Sequence, residues 1–255
     1  MTELAVRFEE TDTVGALVLD RPHSGNAVTP DFIAAFSSAL DAVEGSPIRV
    51  LKIRSQGPNF CVGADLRHFA SRLDQLPVEL AAMADNFHSA LARLTELSIP
   101  VVAQVQGAAV GAGLGLMLAA DCVICAENAR LSTGYAKLGL SADAGVSYFL
   151  TRTLGVRRAR SLLMTARAIN STEALSLGLC DEICPTADLS TRADALAGQL
   201  AGGSRGAAAA VKRLTKEAAA NTDLRTHLDR ERDEIVLLSC DERFAAAVQA
   251  FASRS

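Results

Sequence analysis

The chain has 255 residues and a formal net charge of −4, with 49% hydrophobic and 21% charged positions. That is too apolar for a disordered chain, and 29 acidic against 25 basic residues leave none of the basic surplus of a nucleic-acid binder. With 46 alanines, 4% aromatics and no tryptophan, the composition is that of a helix-rich globular protein packed by small aliphatic side chains, which excludes collagen, coiled coil and disulfide scaffold.

The opening MTELAVRFEE carries no signal peptide, so a reducing, cytoplasmic compartment is expected. Two strands are expected over residues 4–9 and 14–19, on either side of the turn EETDT. The loop RPHSGNAV follows, then a helix over 30–44 with Thr29 as N-cap and Pro30 at its first position. A strand over 50–54 leads into the loop SQGPNFCVGADL and a helix around 66–73. Across 78–97 the periodicity is strong, with Leu80, Met83, Phe87, Leu91 and Leu94 recurring at helical spacing. Pro100 opens a buried strand to 105, and a glycine turn leads to a helix over 112–120 and a strand over 122–125. A short strand at 131–132 and helices over 144–154 and 157–166 come next. Asn170 and Glu173 form a capping box for a helix that Gly178 ends, and a strand over 181–184 closes the α/β part. Beyond 187 every periodic segment is helical, with breaks near Gly202-Gly203 and Asn221-Thr222.

Residues 97–120 hold 24 positions without a charge, with glycines at 107, 111 and 115. The length and the G-x-x-x-G spacing suit a transmembrane helix, but Pro100, Gln104, Gln106 and the missing Lys/Arg flank favour a buried strand, turn and helix. No membrane association is expected. The six cysteines (61, 122, 125, 180, 184 and 240) include one C-x-x-C with no second pair and no nearby histidine, so they are expected to be buried thiols.

Several chemistries lose support. Gly111-Ala112-Gly113-Leu114-Gly115 is followed by leucine, so it is no G-x-G-x-x-G, and neither a P-loop nor a G-x-S-x-G elbow occurs. The four histidines have no metal-binding spacing. What remains is a pair of small-residue turns that enter helices, residues 59–66 and 105–113. Unpaired amides at such turns can converge on one oxygen as an oxyanion hole, and the same small residues also suit tight strand–helix packing.

The strings RPHSGNAV, NFCVGADL, AQVQGAAVGAGLGLMLAADCVICAENARL, KLGLSADAGVSYFLTRTLG and ARAINSTEALSLGLCDEI occur in order along the chain. Together they resemble the enoyl-CoA hydratase/isomerase (crotonase) superfamily over nearly the whole sequence. The resemblance implies an α/β spiral of repeated strand–strand–helix units over 1–187. A helical region over 188–255 would then build a homotrimer, or a hexamer of two trimers. It also implies an acyl-CoA thioester substrate and no metal or redox cofactor.

Carried over position by position, the main-chain amides of Ala64 and Ala112 match the oxyanion donors, and Gly111 belongs to the second donor's turn. His23, Ser24, Val62, Asp65, Leu66 and Arg67 match the stretch that cradles coenzyme A. Arg67, with Lys212, Arg213 or Lys216, is a candidate for its phosphates. Two positions depart from the hydratase pattern: Gly115 and Tyr135 stand where its two glutamates belong. Tyr135 then lines the pocket or donates a hydrogen bond, and His68 is expected to be a solvated helix residue. Asp143, in LGLSADAGVS, matches the aspartate of isomerase-like members. It is expected to shuttle a proton, to cap a helix starting at 144, or both. Burial in that apolar loop is expected to raise its pKa. The expected activity is enoyl-CoA isomerisation. The alternatives are a hydratase with an unconventional site and a crotonase-fold protein that binds acyl-CoA without turnover.

Overall fold

A computed structural model describes residues 4–70, 72–220 and 223–253. The chain opens with β1 (Val6–Thr11), β2 (Val14–Leu19) and α1 (Pro30–Glu44), and Thr29 caps α1 by accepting a hydrogen bond from Phe32 N. Next come β3 (Val50–Ser55), α2 (Leu66–Ala70), a 3-10 turn at Leu73–Gln75 and α3 (Leu76–Glu96). The charge-free run becomes β4 (Val101–Val105), β5 (Ala108–Val110) and α4 (Ala112–Leu118). β6 (Cys122–Ala126), β7 (Arg130–Ser132), a 3-10 turn at Tyr135–Leu138 and α5 (Val146–Thr165) follow. β8 (Ile169–Asn170), α6 (Ser171–Ser176) and β9 (Glu182–Cys184) complete the strands, and α7 (Leu189–Gly202), α8 (Arg205–Ala218), α9 (Leu224–Ser239) and α10 (Glu242–Ala252) the helices.

The strands form two sheets. The larger has the order β1-β2-β3-β4-β6-β9, and the smaller has the order β5-β7-β8. β1 is antiparallel to β2, with Val6 opposite Leu19; the other pairs of the large sheet are parallel, as in Val14 opposite Val50 and Val102 opposite Cys122. Parallel strands need both faces covered, which explains why β4 is buried at every position. One face packs into the main core with Phe32, Phe36, Phe87 and Leu94 of α1 and α3. The other face meets α7: Val50 and Val102 pack with Ala197 and Ala201, and Ile124 packs with Leu189 and Ala193. The boundary expected at 187 therefore precedes a helix that covers the core sheet. Among the described residues no helix is long and apolar enough to cross a membrane.

Several expectations need adjusting. Of the helix expected over 66–73, α2 covers Leu66–Ala70, Leu73 belongs to the following 3-10 turn, and α3 opens with a proline in its first turn. The helices expected over 144–154 and 157–166 are two halves of α5 that meet at Gly155, which has φ 74°. α5 begins at Val146 because Ala144 and Gly145 are left-handed, with φ 51° and 72°. β5 and β8 are too short to show a period. The break expected at Asn221-Thr222 lies outside the described residues, and a further break separates α9 from α10, where Asp241 caps the last helix. Cys61, Cys125, Cys180 and Cys184 are buried, whereas Cys122 is half-buried and Cys240 is exposed.

Candidate active site

The two small-residue turns lie side by side. Segment 59–65 runs as an extra strand between the loop after β2 and the start of β5. On one side Phe60 N donates to Gln106 O at 2.8 Å, Cys61 N to Ala108 O at 3.0 Å, and Val110 N to Cys61 O at 3.0 Å. On the other side Val62 N donates to Gly25 O at 3.0 Å, Val28 N to Gly63 O at 2.8 Å, and Asp65 N to Val28 O at 3.0 Å.

The bridge between Val28 and Ala64 uses the polar groups of residues 63 and 65, so the Ala64 amide is turned away from Val28. It makes no hydrogen bond among the described residues. Neither does the Ala112 amide, at the first position of α4 behind Gly111, whose φ 55° and ψ −119° suit glycine. The turns touch closely. A Cβ on Gly63 would lie 3.7 Å from Ala112 N, and one on Gly113 would lie 2.7 Å from Cys61 Cβ. The small residues permit this close approach, and each turn carries one amide without a hydrogen-bond partner among the described residues. Burial pushes the Cys61 thiol up to about 12, so it stays neutral here.

Asp143 precedes the left-handed pair Ala144-Gly145. Its side chain does not cap α5, whose N-cap is Gly145 without a side-chain bond. Instead Nε2 of His88, on α3, lies 2.5 Å from Asp143 Oδ1. The expected burial is absent: the Asp143 side chain is 40% exposed and that of His88 is 47% exposed. Loop apolarity misleads because Leu138 and Leu140 themselves point outward.

Gly115 of α4 packs on the same turn, and a Cβ there would drive into the Ala144 carbonyl oxygen and stand 2.9 Å from Ala144 Cβ. Tyr135 closes the third side. Its ring end would be 3.6 Å from a Cβ on Gly111, and its hydroxyl is buried without a hydrogen-bond partner among the described residues. Burial first, and the Asp143 carboxylate second, hold this phenol above its ordinary pKa, so it remains a donor. Neither position 115 nor position 135 supplies a carboxylate.

The other expected residues flank the amides. Ser24 donates to Arg21 O at 3.2 Å, and His23, Leu66 and Arg67 are exposed. Val62 packs against Gly25. The Asp65 carboxylate is engaged structurally: it accepts from Arg67 N at 3.2 Å and lies 3.7 Å from Arg21 Nη2. Of the basic candidates, Lys212 pairs with Asp121 at 2.7 Å, Arg213 with Glu234 at 2.8 Å and Lys216 with Glu96 at 3.5 Å. Arg67 has no ion pair among the described residues. His68 is not freely solvated, since its Nε2 lies 3.0 Å from Glu79 Oε1.

Two residues escaped sequence reasoning. His88 is one. The other is Asn26, fully buried, whose amide donates to Gln56 O at 3.0 Å and Asn59 O at 2.9 Å while its Oδ1 accepts from Arg21 N at 2.8 Å. The asparagine within RPHSGNAV, beside a glycine, signalled a turn and not this latch. Among the described residues no group of three or more His, Cys, Asp or Glu is placed to hold a metal ion.

A family model described as Enoyl-CoA hydratase/isomerase matches residues 9–254. A trans-2-decenoyl-acyl-carrier-protein isomerase from Streptococcus mutans is 30% identical over 214 residues, covering 82% of this chain and 80% of the relative. A 4-chlorobenzoyl coenzyme A dehalogenase from Arthrobacter is 26% identical over 251 residues, covering 98% and 91%. The crystal structure of an enoyl-CoA hydratase from Polaromonas superposes with TM-score 0.91 at 32% identity, covering 98% of this chain and 97% of that one.

Proposed function

The chain belongs to the enoyl-CoA hydratase/isomerase family, and from that premise we propose that it is an enoyl-CoA isomerase, moving a double bond along an acyl-CoA thioester. The thioester oxygen is received by the amides of Ala64 and Ala112. These dipoles are fixed before substrate arrives and strengthen as negative charge develops on that oxygen. Asp143 takes a proton from carbon 2 of a 3-enoyl thioester, the electron pair passes into the enolate, and a proton is returned at carbon 4. The product is the conjugated 2-enoyl thioester. Arg67 is the base offered to the coenzyme A phosphates.

The observation that carries this reading is the placement of one carboxylate, Asp143, against the turn that packs on Gly115, with no acid at 115 or 135. A two-carboxylate hydration lacks its parts, whereas a double-bond shift needs one base. The test follows enoyl-thioester absorbance. A 3-enoyl-CoA should give a rising signal, and Asp143→Asn should lower kcat by about 10²–10⁴ while acyl-CoA still binds. A falling signal with crotonyl-CoA would favour an unconventional hydratase. Binding without turnover across a range of acyl chains would favour a non-catalytic acyl-CoA protein.

His88 beside Asp143 supports one further reading. A carboxylate next to an imidazole is also equipped to attack an electron-poor carbon that bears a halogen, expel the halide with its electron pair, and have the resulting ester hydrolysed by water that the imidazole deprotonates. The likeness to the Arthrobacter dehalogenase makes 4-chlorobenzoyl-CoA the substrate to try, with chloride release as the readout. Assembly as a trimer, or as two trimers, belongs to the same proposal. It is supported by the exposed apolar side chains Ile235, Leu237, Phe244 and Phe251 on α9 and α10.

A further inference from the structure

We infer that His88 positions Asp143 and gives the proton it carries an outlet to solvent. The inference rests on the isomerase reading and adds to it a second group and a route. His88 Nε2 has two partners: Asp143 Oδ1 at 2.5 Å and the Ala144 amide, which points at it from 3.3 Å. Those partners call for opposite states of one nitrogen. With a proton on Nε2, the ring donates to the ionised carboxylate. Without it, the Nε2 lone pair accepts from the Ala144 N–H and from Asp143 once that acid has been protonated.

Both states of the pair therefore find a hydrogen bond already in place. The frame around them is closely packed. Ala144 is fully buried, left-handed at φ 51° and packed on Gly115, so the amide and the carboxylate next to it are held together. α3 brings the ring from the other side, with the adjacent Phe87 anchored in the core. The ring is about half exposed, which gives the pair access to bulk water.

The proton balance is simple. The carbon–hydrogen bond at carbon 2 breaks, its electrons enter the enolate, and Asp143 becomes the acid. The ring begins with Nδ1 protonated and Nε2 accepting from the Ala144 N–H, so Nε2 takes the proton from Asp143. The imidazolium releases its Nδ1 proton to water, leaving Nε2–H donating to the ionised Asp143. Reversal of the relay returns a solvent proton to Asp143, which delivers it to carbon 4. No net proton is gained or lost. Without the imidazole, Asp143 exchanges its proton with water only through its own 40% exposed carboxyl, and more of the original proton reaches carbon 4.

Isotope content separates the two. Wild type turned over with a protiated 3-enoyl-CoA in deuterium oxide should place solvent deuterium at carbon 4 in most product molecules, read by mass spectrometry at low conversion. His88→Gln keeps a donor for Asp143 but cannot relay a proton. Its kcat should fall by about 3–10-fold, and its deuterium per product should fall by at least about fivefold. Added imidazole should restore the label in His88→Ala. Equal labelling in wild type and His88→Gln overturns the relay.

The pairing is also read without turnover, from the ring ¹⁵N resonances of His88. They should move in Asp143→Asn, and unchanged resonances overturn the positioning role whatever the activity. If wild type isomerises no enoyl-CoA, the isomerase reading and the relay built on it fall together, while the nitrogen spectrum still decides the pairing.

Discussion

Gly115→Ala is a small change with a large expected effect. In an ordinary helix, exchanging glycine for alanine stabilises by about 0.5–1 kcal/mol. Here the added Cβ would stand 2.9 Å from Ala144 Cβ and 3.1 Å from the Ala144 carbonyl carbon, and would drive into the carbonyl oxygen. Ordinary carbon contacts begin near about 3.5 Å, and the obstructing atoms include backbone. Overpacking of this kind costs about 1–3 kcal/mol, and set against the helix gain it leaves a net loss of roughly 0–2.5 kcal/mol, toward the upper end here because backbone atoms obstruct. At this chain length that lowers Tm by up to roughly 10 °C. The activity effect is larger, because the atoms that must yield belong to the turn presenting Asp143. A displacement near 1 Å costs about 10²-fold in rate. Thermal unfolding and initial-rate assays on the same sample measure both. Gly115→Glu should therefore fail to install a hydratase. A Gly115→Ala protein with wild-type Tm and wild-type rate would refute the reasoning.

Three further outcomes are expected. Asn26→Ala leaves two carbonyls and one amide without their buried partner and should cost about 2–4 kcal/mol, seen as a lower midpoint in urea; a loss under about 0.5 kcal/mol would mean that the latch is dispensable. Arg213 donates to both oxygens of Glu234 at 2.8 Å, and this bond holds the Glu234 carboxyl below its ordinary pKa. Because the folded value is the lower one, that contribution is present above the unfolded value of about 4.3 and is lost as pH falls through the folded value. The acid limb of helical circular dichroism should be shallower in Glu234→Gln, and an unaltered limb would count against the pairing. Leu237→Asp with Phe244→Asp should reduce the sedimentation mass to that of a monomer with helicity retained; a wild-type mass would place the contacts elsewhere.

Periodicity and punctuation carried most of the fold. α1 was legible to the residue because Thr29 and Pro30 mark its start and Gly45 follows its end. β5 and β8 were not, since strands of three and two residues leave no period to detect. At the site the two turns were legible as runs of small residues, because the close approach of two chain segments leaves no room for larger side chains. His88 was not legible: it lies 55 residues from Asp143, and helical spacing places it only at the edge of the stripe through Met83, Phe87 and Leu91. Which partner an edge residue meets is settled by how α3 lies over the turn before α5. The burial of Asp143 failed for a related reason, since neighbouring leucines in sequence need not surround a loop in space.

The two unpaired amides have a consequence for heredity. A side chain that stabilises charge can be erased by a single codon change, but an amide belongs to the chain itself. At positions 64 and 112 only proline removes the N–H; the other replacements alter its surroundings and leave the donor. If these amides receive the thioester oxygen as proposed, that half of the site is sheltered from most point mutations, while acids and bases around it can be exchanged wherever packing leaves room, as it does not at Gly115. A lineage built this way could change reaction by substituting a few side chains without rebuilding the pair of donors.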